Sequence, residues 1–230
     1  MTLAWHVARQ MWIQLRLLAL VMMPPAAAVV AVFVDGQVGS DAGRLTLGIG
    51  FALAAVLSAA LVGNSFADEI GSGSAAWLVV RAVPRASLIG AWLALPSVAI
   101  LAAYVVAGIL AGLAITTPLG FAPDPVAVTV GIVAAAAPAF ALSAVALLIG
   151  VDTPGRLTFL AVLGVGAVLA LPLILLGQTA IHPATGYWLV AGMVPADRPI
   201  TVGLRAIGLC LVLAAGAWAV AARRFASRDL

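Results

Sequence analysis

The residues of this chain that could do chemistry are concentrated in one short stretch, residues 66–92, which reads FADEIGSGSAAWLVVRAVPRASLIGAW. Asp68 and Glu69 are adjacent, a Gly/Ser run follows them, and Arg81 and Arg85 flank a proline. Long apolar runs lie on both sides of the stretch. Charges of both signs beside helix-breaking residues are typical of a polar loop. Such a loop either binds a partner by charge pairing or is a solvated segment that only sets membrane topology.

The rest of the chain shows none of the motifs typical of a catalytic or metal-binding site. A phosphate-binding P-loop requires a lysine, and the chain contains no lysine. The two histidines, His6 and His182, fall at opposite ends of the expected topology, so they cannot share one metal ion. No H-E-x-x-H or G-x-S-x-G motif occurs, and no pair of carboxylates falls inside an apolar run. We therefore expect no enzymatic site, no metal site and no cofactor in this chain.

The composition indicates an all-α integral membrane protein with a single domain over residues 1–230. Hydrophobic residues make up 65% of the chain and charged residues only 8%, whereas a soluble domain carries about 25% charged residues. The mean hydropathy is +1.23. The net charge is +3, but the arginines are scattered singly and form no basic face, which argues against a nucleic-acid partner. A single cysteine, Cys210, excludes a disulfide within the chain.

Six apolar runs are long enough to cross a membrane, because a spanning helix needs about 20 mostly apolar residues. Turn-forming segments such as DGQVGSDAG, TTPLGFAPDP and GVDTPGR separate the runs. The predicted spans are residues 17–34, 45–66, 88–116, 125–150, 157–178 and 201–222.

The placement of the arginines predicts the orientation of these spans. With a cytoplasmic N-terminus, the inner segments contain arginines 9, 16, 81, 85, 156, 223, 224 and 228, and the outer segments only 44, 198 and 205. Both ends of the sequence are therefore expected on the cytoplasmic side, in the plasma (inner) membrane. The stretch at 66–92 becomes the first cytoplasmic loop, 67–87, with a short surface helix over residues 75–82.

Residues 1–16 form an amphipathic segment before the first span. On a helical wheel the polar side chains His6, Arg9 and Gln10 gather on one side, together with Gln14 and Arg16. Trp5, Ala8, Met11, Trp12 and Leu15 gather on the other side. This pattern predicts an elbow helix that lies in the membrane interface and contacts lipid. The alternative is a frayed cytoplasmic start of the first span.

Residues 179–200 are too long for a tight turn and too interrupted by proline for a span. We expect a re-entrant or interfacial segment at the outer face, since irregular backbone at membrane depth needs burial in protein or a wet cavity. An ordinary outer loop anchored by Tyr187 and Trp188 at the headgroup level explains the pattern equally well.

The predicted spans contain almost no charge. Ion pathways and proton relays are built from ionisable residues at membrane depth, and here the span interiors offer Asn64, Gln178 and scattered Ser and Thr. Arg205, about one turn into the last span, can extend outward to the interface. If the protein transports a substrate, the energy is therefore expected to come from another subunit.

The loop sequence resembles the first cytoplasmic loop of type-2 ABC exporter permeases. That family has an acidic residue, a nearby glycine, a short apolar helix and then a proline with a Ser/Thr or basic residue. Glu69, Gly71, Leu78, Pro84 and Arg85 occupy those places. The whole-chain layout is similar as well, with an elbow, about six spans, a broken outer segment and the short basic ending ARRFASRDL.

The resemblance implies a transmembrane permease subunit of an ATP-driven exporter. Two permease subunits, identical or different, would form the pathway, and two separate ABC ATPase subunits would bind ATP and Mg. The loop at 67–87 would be the coupling helix, with Asp68 and Glu69 on the aqueous side facing the ATPase. The loop at 150–156, with Asp152 and Arg156, would be the second contact.

Three alternatives remain open from the sequence. The fifth span, LALPLILLGQTAI, is comparable to that of haem-exporter-like permeases of cytochrome c maturation, which share the ATP-driven mechanism. An ion-coupled secondary carrier would work without an ATPase. A non-transporting membrane scaffold would have no ATPase in its complex.

Overall fold

The structure is a computed structural model that describes residues 3–13, 15–38, 40–75, 83–116, 125–176 and 199–227. The described residues contain seven helices and no strand. In chain order these are α1 (Leu3–Ile13), α2 (Arg16–Val38), α3 (Ser40–Gly71), α4 (Arg85–Thr116), α5 (Pro125–Asp152), α6 (Gly155–Leu176) and α7 (Pro199–Ala226).

Five of these helices contain a stretch long and apolar enough to cross a membrane. The stretches are Arg16–Val34, Leu45–Gly71, Arg85–Ala111, Val128–Asp152 and Ile200–Ala226. The predicted fifth span at 157–178 corresponds to α6, a helix of 22 residues. Its described apolar stretch, Gly155–Ala167, is shorter than the roughly 20 residues that a span needs. The described residues therefore give five candidate spans where the sequence predicts six.

Helix α5 lies at the centre of the bundle. It packs against α3, α4, α6 and α7, whereas α2 packs against α3 and α4 at one side. In the most apolar 18-residue window of α5, 67% of the residues are buried, against 22% in that of α2 and 28% in that of α7. The exposed side chains of α2 and α7 are large and apolar, including Phe33 and Val212. These surfaces suit hydrocarbon, where an apolar side chain needs no burial in protein.

Close helix packing depends on small residues where α3 crosses α5. A Cβ atom added to Gly63 would lie 2.8 Å from the Ala146 Cβ atom and 2.9 Å from the Ala146 carbonyl oxygen. One added to Gly150 would lie 3.0 Å from the Gly63 carbonyl oxygen. The two backbones approach each other at this point because neither glycine carries a side chain, as is common for helices in membranes.

Aromatic side chains fill the wider parts of the core. The Tyr104 hydroxyl on α4 donates a hydrogen bond of 2.7 Å to the Phe51 carbonyl oxygen on α3, and the two rings meet edge to face at 5.0 Å. Closer to the ends of the helices, the Phe66 ring lies 6.0 Å from Trp92 and 5.9 Å from Phe225. This second cluster joins α3, α4 and α7.

The breaks predicted to share one side of the membrane lie together at one end of the bundle. Arg16, which starts α2, pairs with Asp68 in the last turn of α3. Asp152, which ends α5, pairs with Arg224 in the last turn of α7, and Arg85 at the start of α4 bonds to the final carbonyls of α7. We call this the polar end. Its contacts hold Asp68, Arg85 and Asp152 of the candidate site in place.

Candidate functional site

The elbow segment, residues 1–16, contributes helix α1 to the polar end. Helix α1 packs its Val7 and Met11 side chains fully inside, against the rest of the bundle, while Trp5 and Trp12 are each 60% exposed. The chain then turns at Leu15, which has the positive φ of 55°, and Arg16 starts α2. The helical wheel grouped Met11 with the two tryptophans, but Met11 is buried against the bundle and the tryptophans are exposed. Met11 belongs to an inner apolar face, and the two tryptophans form a separate outer one.

Arg16 is the central cation of the polar end. Its Nη2 atom donates a hydrogen bond of 2.8 Å to Asp68 Oδ2, and its Nη1 atom donates one of 2.8 Å to Ser65 Oγ. The Arg16 side chain is 19% exposed and that of Asp68 is 42% exposed. A guanidinium that donates in two directions from a planar group fixes the position of both acceptors. Arg16 thus ties the start of α2 to the end of α3.

Asn64 extends this contact to α6. With its amide oriented to satisfy both neighbours, Asn64 accepts a hydrogen bond of 3.0 Å from Arg16 Nη2 and donates one of 2.9 Å to the Gly155 carbonyl oxygen. Gly155 is buried, and a Cβ atom there would collide with the side-chain amide of Asn64 and the carboxylate of Asp68. The first residue of α6 therefore lies directly on the polar side chains of α3.

Glu69 is paired with α1. Its Oε1 atom lies 2.8 Å from His6 Nε2, and the carboxylate side chain is only 3% exposed. A carboxylate in the last turn of a helix is unfavourable next to the negative end of the helix dipole, and a buried one needs a partner. His6 supplies that partner. The expectation that both carboxylates lie on the aqueous surface is therefore wrong for Glu69, because α1 covers it.

A polar cavity of about 360 Å³ lies between α1 and the end of α3. Among the described residues, the side chains that line it are all polar: Gln10, Ser65, Asp68, Glu69, Ser72 and Ser74. The two last serines are hydrogen-bonded to each other through their hydroxyl oxygens at 2.6 Å. The cavity places the polar side of the elbow helix, through Gln10, beside the end of α3.

Arg85 is engaged with α7. Its Nη1 atom donates hydrogen bonds of 3.0 Å to the Phe225 carbonyl oxygen and 2.7 Å to the Ala226 carbonyl oxygen. The last carbonyls of a helix have no partner within it, and a cation there is also favoured by the helix dipole. Pro84 is exposed and immediately precedes α4, whose first turn it caps because its carbonyl accepts from the Ser87 and Leu88 amides. Pro84 and Arg85 therefore both stabilise the polar end.

The second predicted contact, the loop at 150–156, presents its charges outward. The side chain of Asp152 is 52% exposed and pairs with Arg224 Nη1 at 3.0 Å. Arg156 is also exposed. Beneath them, the Thr153 and Thr158 hydroxyl oxygens lie 2.7 Å apart, and Thr158 is buried. The loop thus combines a fixed, buried turn with two exposed charges of opposite sign.

The remaining predicted contact residues have different outcomes. Gly71 is exposed and ends α3, so this helix continues past the predicted end of the span at residue 66. Gly73 has a φ of 79°, in the left-handed region that glycine tolerates. Ser74 and Ala75 are helical, at the predicted start of the surface helix. Leu78 lies outside the described residues, as does the outer segment at 179–200 up to residue 198.

Arg16, Asn64, Ser65 and Gly155 hold the polar end together, and the sequence analysis did not select them as a site. Spacing offered a signal for two of them. Asn64 and Asp68 are four residues apart, as are Ser65 and Glu69, so each pair shares one helix face. The role of Gly155 had no such signal, because it depends on the crossing of α3 and α6.

No metal centre is present among the described residues, in which no three His, Cys, Asp or Glu side chains lie close enough to hold an ion. The fold and the polar end define a multi-pass helical membrane protein whose described charges lie mainly at one end. The sequence matches no protein-family model and shows no match to a curated protein.

Proposed function

We propose that the chain is the transmembrane permease subunit of an ATP-driven ABC exporter. It would cross the plasma (inner) membrane six times, with both ends of the sequence in the cytoplasm. Two permease subunits would form the pathway and two ATPase subunits would bind at the polar end. The observation that carries the proposal is the convergence of the two predicted coupling segments, near Asp68 and near Asp152, at the same end of the bundle.

The distribution of polar residues supports an external energy source. The buried polar or charged residues among those described are Ser58, Ser65, Glu69, Ser143 and Thr158. Glu69 is the one ionisable group in this set, and it lies at a helix end against His6. An ion-driven carrier requires ionisable residues at membrane depth. The described spans offer hydroxyls there, which fit a carrier driven by a separate ATPase.

The exposure of the charged side chains selects the residues proposed to contact the ATPase. Asp152 and Arg156 present charge outward, and Asp68 is partly exposed, so these three are the proposed ATPase contacts. Glu69 and Arg85 are proposed to support this contact surface without touching the ATPase. Glu69 already contacts His6, and Arg85 already donates to the Phe225 carbonyl oxygen. ATP and Mg would bind the partner, since a phosphate site of the P-loop type needs a lysine that this chain lacks.

Two arginines at opposite ends of the protein provide a matched test. Arg156 lies at the polar end, whereas Arg205 lies in the first part of α7, away from it, and both are exposed. The variants R156E and R156Q are compared with R205Q for membrane expression and for co-purification of the ATPase subunit. Breaking a desolvated charge pair at an interface costs about 2–5 kcal/mol, which is enough to lose the partner during purification.

We expect all three variants to reach the membrane, with ATPase binding reduced by R156E most, by R156Q less, and by R205Q not at all. Equal ATPase retention in R156E and R205Q would remove Arg156 from the interface. An R205Q complex that loses the ATPase as readily as R156E would place the partner elsewhere on the protein.

A further inference from the structure

Two side chains, Arg16 and Asn64, connect the segment that follows α3 with the loop at 150–156. Arg16 contacts Ser65 and Asp68 at the end of α3, and it also donates to Asn64. Asn64 in turn donates to the carbonyl oxygen of Gly155, the first residue of α6. The segment that follows α3 and the loop that precedes α6 are thus linked by a continuous set of hydrogen bonds, although Asp68 and Gly155 are far apart in sequence.

The contact between α3 and α6 leaves no room for adjustment. At Gly155 a Cβ atom would collide with the Asn64 amide and the Asp68 carboxylate, so the α6 backbone already touches those side chains. On the other side of Gly155, the Thr158 hydroxyl group lies 3.1 Å from the Pro154 carbonyl oxygen and fixes the turn. Packed groups of this kind move together or separate, because they cannot deform continuously.

The ion pair between Asp152 and Arg224 does not provide an equivalent connection. Its two side chains are 52% and 59% exposed, and an exposed pair contributes at most about 1 kcal/mol. The Arg16 side chain is 19% exposed and its bonds are charge-assisted, which makes them about twice as strong as neutral ones. The link between the two loops is therefore the one through α3, in which Arg16 fixes Asp68 and Asn64, and Asn64 donates to the Gly155 carbonyl oxygen.

We propose that Arg16, Asn64, Asp68 and Gly155 form a junction that couples the two loops of the polar end mechanically. Displacement of the end of α3 displaces the start of α6, and the reverse follows because coupling between two sites is reciprocal. Arg16 is the positioning residue of the junction. Binding of a partner at either loop then displaces the other loop. This inference concerns the chain alone and does not depend on the identity of the partner.

Hydrogen exchange of the full chain in lipid nanodiscs tests the junction from both sides. The variant R16Q removes the guanidinium on the α2 side, and exchange is read at the amides of residues 158–162, in the first turns of α6. The variant G155A inserts a methyl group on the α6 side, and exchange is read at residues 66–73, at the end of α3. R9Q, a change at an exposed arginine of α1, is the control for the first. G164A, where a Cβ atom meets open space, is the control for the second.

We expect each variant to accelerate exchange in the other partner of the junction by about tenfold, the effect of losing a hydrogen bond to a charged group. R9Q and G164A are expected to leave both regions unchanged. Faster exchange confined to α3 in R16Q, together with a change confined to α6 in G155A, would overturn the proposal. If R16Q also accelerates the centre of α5, residues 139–147, the protein is loosened as a whole and G155A decides the outcome alone.

Discussion

Glu69 in the last turn of α3 and His6 in α1 are 63 residues apart in sequence and are joined by a contact of 2.8 Å between Oε1 and Nε2. The carboxylate side chain is 3% exposed and the imidazole 12%. The acidic residue that stands out in the sequence as a surface charge therefore anchors the elbow helix to the bundle. Its first effect is on folding, and any effect on a partner is transmitted through the shape of the polar end.

Reversing this charge tests the anchoring role. The variant E69R places a cation against His6 in a buried site, and breaking a buried pair on one side costs about 3–5 kcal/mol. We expect a large fall in the apparent melting temperature in detergent. E69Q keeps a hydrogen-bonding group of similar size and is expected to cost less.

The matched control for this experiment is D152R, at the other predicted coupling segment. Asp152 is 52% exposed, and surface substitutions usually change stability by about 0.5 kcal/mol or less. A melting temperature for E69R equal to that of D152R would mean that Glu69 is solvated and that α1 does not cover it in the membrane.

Gly63 sets the distance between α3 and α5. The variant G63A places a Cβ atom 2.8 Å from the Ala146 Cβ atom and 3.0 Å from the Thr158 Cγ2 atom, and such overpacking costs about 1–3 kcal/mol. G164A is the control, since open space surrounds the added methyl group. We expect thermal unfolding to show a lower melting temperature for G63A alone. Equal values for the two variants would contradict the close crossing.

Tyr104 links α3 and α4 through one polar atom. The variant Y104F keeps the ring, and with it the edge-to-face contact with Phe51, but removes the hydrogen bond to the Phe51 carbonyl oxygen. Hydrogen bonds between helices in a membrane contribute about 0.6 kcal/mol on average. We therefore expect a small, measurable decrease in melting temperature, and a larger one for Y104L, which also loses the ring contact. An unchanged value for Y104L would show that this contact does not hold α3 to α4.

The chain purified without partners is expected to hydrolyse no ATP. A P-loop binds the β- and γ-phosphates with its lysine, and the sequence contains no lysine. The measurement is phosphate release by the chain in detergent or nanodiscs, with and without Mg. Turnover that survives removal of co-purified proteins would contradict the absence of an ATP site.

The fold class could be predicted because it depends on local properties of the sequence. Apolar runs interrupted by turn residues are enough to place membrane helices, and arginine counts predicted which breaks lie together. The predicted bounds of the second and third spans, 45–66 and 88–116, were less accurate, since α3 covers Ser40–Gly71 and α4 covers Arg85–Thr116. The α3 helix continues through Asp68 and Glu69 to Gly71, where Arg16 pairs with Asp68 and His6 contacts Glu69, since a carboxylate at the negative end of a helix needs such partners.

The internal partners of the polar end were not predictable to the same extent. That His6 faces Glu69 depends on how α1 folds back on the bundle after the turn at Leu15, and a helical wheel contains no information about that angle. The contact of Gly155 with Asn64 arises only where α3 and α6 cross. The sequence pattern singled out the charges at 67–87, but Asp68 and Glu69 belong to the last turn of α3, and tertiary packing determines which of these two charges reaches solvent.

The most direct test of the permease proposal is the subunit composition of the protein in its native membrane. The chain is tagged, solubilised gently and purified, and the complex is analysed for its subunits and for ATP hydrolysis. We predict a soluble ATPase subunit that carries a G-x-x-x-x-G-K-[ST] motif, in equal proportion to the permease chains, with turnover abolished when the lysine of that motif is changed. A homogeneous complex that retains the protein's transport function with no ATPase subunit and no ATP hydrolysis would contradict the proposal.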